Sequence, residues 1–88
     1  MCLGIPGRIV EITDADNCLA TVDVSGVKRT ISVRLLERDL PAPDEWVLVH
    51  VGFAMAKIDE KEALLTLAAV QRLGQAYTDE MDAFRGTA

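Results

Sequence analysis

The chain has 88 residues, of which 50% are hydrophobic and 5% aromatic, and its formal net charge is −5. A chain of this length forms one small domain that buries about 60% of its unfolded surface. The acidic balance argues against nucleic-acid and membrane-surface partners, which are bound through basic stripes.

The N-terminal segment is predicted to adopt a defined conformation and not to fray into solvent. Cys2 follows Met1, whose removal is usual before a small residue, so the mature chain is expected to begin with a thiol beside a free amine. Residues 3–7 contain two glycines and a proline, which predict a bend with unusual backbone dihedrals. Leu3 and Ile5 add apolar anchors to this segment.

Five short strands are predicted, because β-branched or alternating stretches are separated by turn-forming residues. These strands cover residues 8–13, 18–24, 27–34, 45–51 and 53–58. Ser25-Gly26 predicts a two-residue hairpin in which glycine supplies a positive φ. Gly52 predicts a bulge or close approach, and the prolines within residues 35–44 predict a connecting loop.

Because successive side chains of a strand point to opposite sides of the sheet, the sequence assigns each residue of these strands to one of two faces. Cys18 is predicted to point inward at the start of the second strand. The fourth strand is apolar on both faces, which favours the middle of a closed or covered sheet. Its two faces are Val47, Val49 and Val51 on one side and Trp46, Leu48 and His50 on the other.

The hydrophobic period changes to that of a helix near Asp59. Asp59 precedes Glu62 by three residues, as in a capping box, and predicts the start of a helix that continues to about Leu73. A second segment is expected at residues 78–84, with Gly74 as a kink or an end. The apolar stripe of both segments comprises Ala63, Leu67, Val70, Tyr77, Met81 and Phe84.

Together these elements predict a mainly β fold, a small OB-fold-like barrel of about five strands with a C-terminal α-helix. Residues 1–58 are expected to form the barrel with the N-terminal cysteine motif. Residues 59–88 are expected to form a helical segment that packs on the barrel as a lid over its open end, within a single domain.

The N-terminus lacks the basic flank and apolar core of a signal peptide, and no apolar run reaches the roughly 18 residues of a spanning helix. We therefore expect a cytoplasmic protein in which Cys2 and Cys18 are both reduced thiols. No pair of soft ligands has the local spacing of a zinc site, so no structural zinc is expected.

Cys2 and His50 are the candidate metal ligands. The N-terminal amine, and a nearby protonated His50, would favour the thiolate of Cys2, which is the ligand that a soft iron centre prefers. The alternative for Cys2 is a small residue that only permits removal of Met1. The alternative for His50 is a strand histidine that packs beside Trp46 and donates one hydrogen bond.

Two motifs closely resemble the HypC/HupF family of hydrogenase maturation factors. They are MCLGIPG at residues 1–7 and WVLVHVGFAM at residues 46–55. The resemblance covers nearly the whole chain and includes Val22-Asp23-Val24, Gly26 with Arg29, and Asp59-Glu60. Ser25 is a departure, because some members carry cysteine in this hairpin.

The resemblance implies a chaperone, not an enzyme, that helps assemble the Fe(CN)2CO moiety and deliver it to the precursor of the [NiFe]-hydrogenase large subunit. The implied partners are this precursor and the iron–sulfur protein HypD. Cys2 matches the family cysteine implicated in iron binding and in both partnerships, and His50 matches the histidine proposed to assist at the iron. Iron would be held transiently and shared with a partner protein.

Partner binding also requires a contact surface on the protein. We expect the N-terminal segment to form part of an interface through Cys2, Leu3, Gly4, Ile5 and Pro6. Phe53 and Met55 form a second candidate patch, although barrel core is the favoured position for Phe53.

The rival hypothesis is a hydrolase in which Cys2 is the nucleophile and its own amine or His50 is the base. The small size and the lack of a clear third orienting residue argue against it. A nucleic-acid-binding barrel is disfavoured by the charge and by the scarcity of stacking aromatics.

Overall fold

The fold is a closed barrel of five strands, seen in a computed structural model that describes residues 4–86, apart from the side chain of Ala76. The strands are β1 (Ile5–Asp14), β2 (Leu19–Val24), β3 (Val27–Ser32), β4 (Trp46–His50) and β5 (Phe53–Ile58). Their order around the barrel is β1-β2-β3-β5-β4, and only the contact of β3 with β5 is parallel. The predicted mainly β, OB-fold-like barrel is confirmed.

The long strand β1 closes the barrel by pairing with two neighbours. Residues 5–8 pair with β4, and residues 8–14 pair with β2. The strand therefore begins three residues earlier than predicted, and Gly4, just before it, forms a bend. Gly7 is needed for packing, because a Cβ atom there would lie 2.4 Å from Cγ1 of Val22.

The barrel interior is filled by inward-facing residues of every strand. Val47 and Val49 are buried as predicted, but Val51 is exposed because it lies in the turn after β4 and not in the strand. Gly52 is the second residue of this turn and has a φ of 83°. The predicted hairpin at Ser25-Gly26 is confirmed by the pairing of Val24 with Val27.

Two helices follow the barrel, α1 (Glu60–Arg72) and α2 (Gln75–Arg85). The carboxylate of Asp59 accepts a hydrogen bond from the backbone N–H of Glu62 at 2.7 Å, which confirms the predicted N-cap. Gly74, with a φ of 62°, separates the helices, and α2 begins three residues earlier than predicted.

The predicted apolar stripe faces the barrel. Ala63, Val70, Met81 and Phe84 are buried, and Leu67 and Tyr77 are half-buried. Met81 and Phe84 belong to the same hydrophobic cluster as the barrel valines and isoleucines. This packing agrees with a helical lid over the barrel.

The connector between β3 and β4 contains a 3-10 helix at Arg34–Asp39, where a loop was predicted. Lys57 of β5 holds this connector through ion pairs with Asp39 at 3.2 Å and with Glu45 at 3.5 Å. The hydrogen bond to Asp39 raises the pKa of Lys57, because it favours the charged form of the amine.

Within residues 4–86, no helix has the length and apolar composition needed to cross a membrane.

Candidate functional site

The hairpin formed by β4 and β5 carries the central part of the second sequence motif. His50 pairs with Phe53 across the two-residue turn Val51-Gly52. The carbonyl oxygen of Gly52 accepts a hydrogen bond from the N–H of Ser32 at 2.9 Å, which ties the turn to the end of β3. The barrel therefore holds His50 and Phe53 side by side in a defined orientation.

His50 forms a hydrogen bond with a carboxylate from α2. Its Nδ1 lies 3.0 Å from Oε1 and 3.4 Å from Oε2 of Glu80. The His50 side chain is 40% exposed, whereas that of Glu80 is only 16% exposed. Among the residues that the structure describes, none hydrogen-bonds to Nε2 of His50. The partly exposed ring can therefore offer this nitrogen to a ligand or a partner.

The sequence analysis missed Glu80, which is 30 residues from His50 along the chain. The available clue was its position four residues before Phe84, because i and i+4 share a helix face. A carboxylate beside the apolar stripe of a helix needs a polar partner when the stripe is buried. No third orienting residue was clear from the sequence, and the structure places the Glu80 carboxylate at hydrogen-bonding distance from His50.

The N-terminal site residues are only partly described. Cys2 and Leu3 lie outside the described residues. Gly4 is buried beside β4, and a Cβ atom there would lie 2.7 Å from the carbonyl oxygen of Val49. Ile5 and Pro6 are fully buried within β1.

The Ile5 and Pro6 side chains are therefore not on the surface of the described structure, and partner binding by Gly4, Ile5 and Pro6 stays a prediction. Ile5 pairs with Val49, the residue before His50. The chain therefore enters the barrel beside the strand that carries the histidine.

Phe53 and Met55 are exposed by 48% and 40%. The favoured core position for Phe53 is wrong, because its pairing with His50 places it on the outside of the barrel. A register shift in the pairing of β4 with β5 leaves both Met55 and Ala56 exposed. Partner binding by Phe53 and Met55 stays a prediction, and their exposure makes it possible.

An open groove of about 660 Å³ lies between the 3-10 helix and β5. Its walls include Leu35 and Leu36 on one side and Met55 and Lys57 on the other. Met55 therefore continues the apolar surface of Phe53 towards this groove.

Cys18 is a free, buried cysteine. It lies in the turn just before β2 with a φ of 54°, and its carbonyl oxygen accepts a hydrogen bond from the N–H of Val33 at 2.7 Å. Its inward position was predicted, although the strand begins one residue later. Among the described residues, no three His, Cys, Asp or Glu side chains are grouped to hold a metal ion. The expectation of no zinc stays a prediction.

Comparison with known proteins shows similarity to a single family. The model of the HupF/HypC family matches residues 1–70. The hydrogenase maturation factor HypC of Rhodobacter capsulatus is 54% identical over 79 residues, which cover 86% of this chain and 81% of the relative.

Two factors of Escherichia coli K12 are also similar. HybG is 44% identical over 80 residues, covering 89% of this chain and 98% of the relative. HypC is 46% identical over 83 residues, covering 90% of this chain and 89% of the relative.

Proposed function

The chain belongs to the HupF/HypC family, and we propose that it is a hydrogenase maturation chaperone that helps assemble and deliver the Fe(CN)2CO moiety of [NiFe]-hydrogenase. The observation that carries the proposal is the family match over residues 1–70, which includes both Cys2 and the hairpin of His50. The curated relatives compared above are hydrogenase maturation factors, which supports a role as a maturation chaperone and not as an enzyme.

In this proposal iron is cargo rather than a resident cofactor. The thiolate of Cys2, exposed by removal of Met1, would hold the iron together with a thiolate from a partner. A single thiolate leaves positions open for transfer, whereas a closed site with four ligands would retain the metal. The lack of a grouped set of three ligands among the described residues is compatible with such a carrier.

The described geometry supports a contribution from His50. Cys2 precedes Ile5 by three residues, so an extended chain limits the distance between their Cα atoms to about 11 Å. Ile5 pairs with Val49, and His50 is the next residue of β4. This short spacing along the chain is compatible with a site that uses both Cys2 and His50.

The proposed partners are a HypD-type iron–sulfur protein and the precursor of the hydrogenase large subunit. Leu3 and Phe53, with Met55 beside the groove, would supply the apolar contacts of the interface. The exposure of Phe53 and Met55 supports this assignment, because apolar and aromatic residues are enriched at the core of protein interfaces. The cytoplasmic location of the protein stays a prediction.

Replacing Cys2 tests the proposal. Cys2→Ala and Cys2→Ser are both expected to lose partner and iron, since neither side chain supplies a thiolate. The measurement is co-purification of the tagged mature protein from cells that produce hydrogenase, followed by mass spectrometry of the partners and infrared detection of iron-bound cyanide and carbon monoxide.

Cys18→Ala is the matched control, because Cys18 is the other thiol of the chain and is buried in the barrel. This variant should keep the partners and the infrared bands if it remains folded by circular dichroism. Retention of both complexes by either Cys2 variant would overturn the carrier function. Serine that preserves hydrolysis of an ester or amide would favour the rival hydrolase.

A further inference from the structure

We propose that Glu80 is a positioning residue that keeps the neutral His50 ring in the tautomer with a proton on Nδ1 and a lone pair on Nε2. The inference concerns a residue of α2, which lies beyond the part of the chain matched by the family model. Only its last step, the use of Nε2 at the iron, rests on the proposed function.

The chemistry of the contact determines the proton position. Nδ1 of His50 lies 3.0 Å from Oε1 of Glu80, which is hydrogen-bonding distance. An ionised carboxylate can only accept, so Nδ1 must donate. A neutral imidazole has a single N–H, and its second nitrogen, Nε2, is then left with a free lone pair.

The contact also limits the rotation of the ring. Both carboxylate oxygens of Glu80 lie within 3.4 Å of Nδ1. Glu80 is itself held in place, because its side chain is mostly buried and the next residue, Met81, is buried in the core. An imidazole held in this way presents Nε2 in one direction, as histidines do when a carboxylate supports their binding to a metal.

The rest of α2 supports the position of Glu80. Phe84, one turn further along, is buried among the barrel residues. At the end of the helix, Nε of Arg29 donates a hydrogen bond to the carbonyl oxygen of Arg85 at 3.3 Å. The C-terminal helix therefore both covers the barrel and supplies the group that orients the histidine.

Nuclear magnetic resonance tests this inference on the intact protein without iron or partners. Long-range proton–nitrogen correlation spectra of the imidazole, recorded at alkaline pH, identify the protonated nitrogen. The wild type is expected to show the Nδ1–H tautomer. A wild-type spectrum with the proton on Nε2 overturns the proposal, whatever the variants do.

Variants of Glu80 show whether this residue is the cause. Glu80→Ala should move the proton to Nε2, the form that a solvent-exposed histidine side chain prefers in water, because alanine has no group that accepts a hydrogen bond from Nδ1. Asp79→Ala is the matched control, since Asp79 is a neighbouring carboxylate that bonds Gln75 instead. An unchanged tautomer in Glu80→Ala overturns the role of Glu80.

Iron retention separates this inference from the proposed function. Glu80→Ala should lower the iron recovered with the complex by roughly tenfold, the lower end of the usual effect of losing such a supporting residue, while Asp79→Ala leaves it unchanged. If the tautomer shifts but the iron content does not, Glu80 positions His50 as proposed and the role of His50 at the iron is wrong.

Discussion

The two tight hairpins of the barrel share a backbone conformation but differ in the residue at the first turn position. Ser25 and Gly26 have φ values of 50° and 87°, and Val51 and Gly52 have values of 46° and 83°. Positive φ at both positions suits a type I′ turn, which favours Asn, Asp and Gly. Serine is a common turn residue, whereas valine is β-branched and costs about 1–3 kcal/mol in this region.

The surroundings of the two turns also differ. The first turn is stabilised locally, because the carboxylate of Asp23 accepts a hydrogen bond from the N–H of Gly26 at 2.8 Å. The second turn is flanked by His50 and Phe53 and leaves Val51 exposed. A strained and exposed apolar residue is a poor choice for stability, and such choices are expected at functional sites. The first turn therefore only joins two strands, whereas the second lies next to Phe53, a residue proposed to contact a partner.

Removal of the Phe53 ring, next to the second turn, should have the largest effect of the three substitutions, and this effect is on partner binding. Phe53→Ala is expected to lower the amount of bound HypD-type partner by about tenfold or more, because aromatic anchors often contribute 2 kcal/mol or more to an interface. Its melting temperature should change little, since the ring is half-exposed. Leu65→Ala, at a position on α1 that is 64% exposed, is the control for loss of an apolar side chain. Equal partner binding by the two variants would contradict a role for Phe53.

Placing valine in the first turn should reproduce the strain of the second. Ser25→Val is expected to lower the free energy of unfolding by about 1–2 kcal/mol, the usual cost of the left-handed conformation for such a residue. Urea denaturation measures this change, and partner binding should be unaffected. Ser25→Asn serves as the control, because asparagine tolerates a positive φ and should keep the stability of the wild type. A Ser25→Val protein as stable as the wild type would show that this turn does not penalise valine.

Removing valine from the second turn should have the smallest effect of the three substitutions. It should raise the free energy of unfolding, whereas Ser25→Val lowers it. Val51→Asn is expected to raise the free energy of unfolding by about 0.5–1 kcal/mol, since it relieves the strain at a turn position. Urea denaturation again provides the measurement. A loss of stability in Val51→Asn would mean that the barrel, and not a partner, requires the valine.

Much of the fold was predictable because local residue patterns carry it. The alternation in β2 and β4, the Ser25-Gly26 turn and the cap at Asp59 all follow from interactions between residues close in sequence. The first three residues of β1 were not predicted, since Pro6 and Gly7 are unusual in a strand. Gly7 is required there by its close approach to Val22, a contact that exists only after the barrel has closed.

The residues of the candidate site also divide into features that the sequence predicted and features that depend on tertiary packing. The sequence identified His50 as a functional candidate on the strand face that it shares with Trp46 and Leu48, and it identified Cys2 through its position after Met1. Whether an outer-face residue is covered or exposed depends on what packs against that face. For this reason Phe53 was assigned to the core, although the structure places it beside His50 on the outside of the barrel.

The sequence by itself determined the family, the strands, the apolar stripe of the helices and the two residues proposed to meet the iron, because each depends on residue identity and short spacing. Only the tertiary structure decided that β1 begins at Ile5 and that Glu80 reaches Nδ1 of His50. The physical reason is that α2 returns to the barrel through the burial of Met81 and Phe84, and this packing brings together two side chains 30 residues apart. The hydrophobic effect does not depend on how far apart two residues are in the sequence. A contact that depends on it can therefore be identified only in the folded structure.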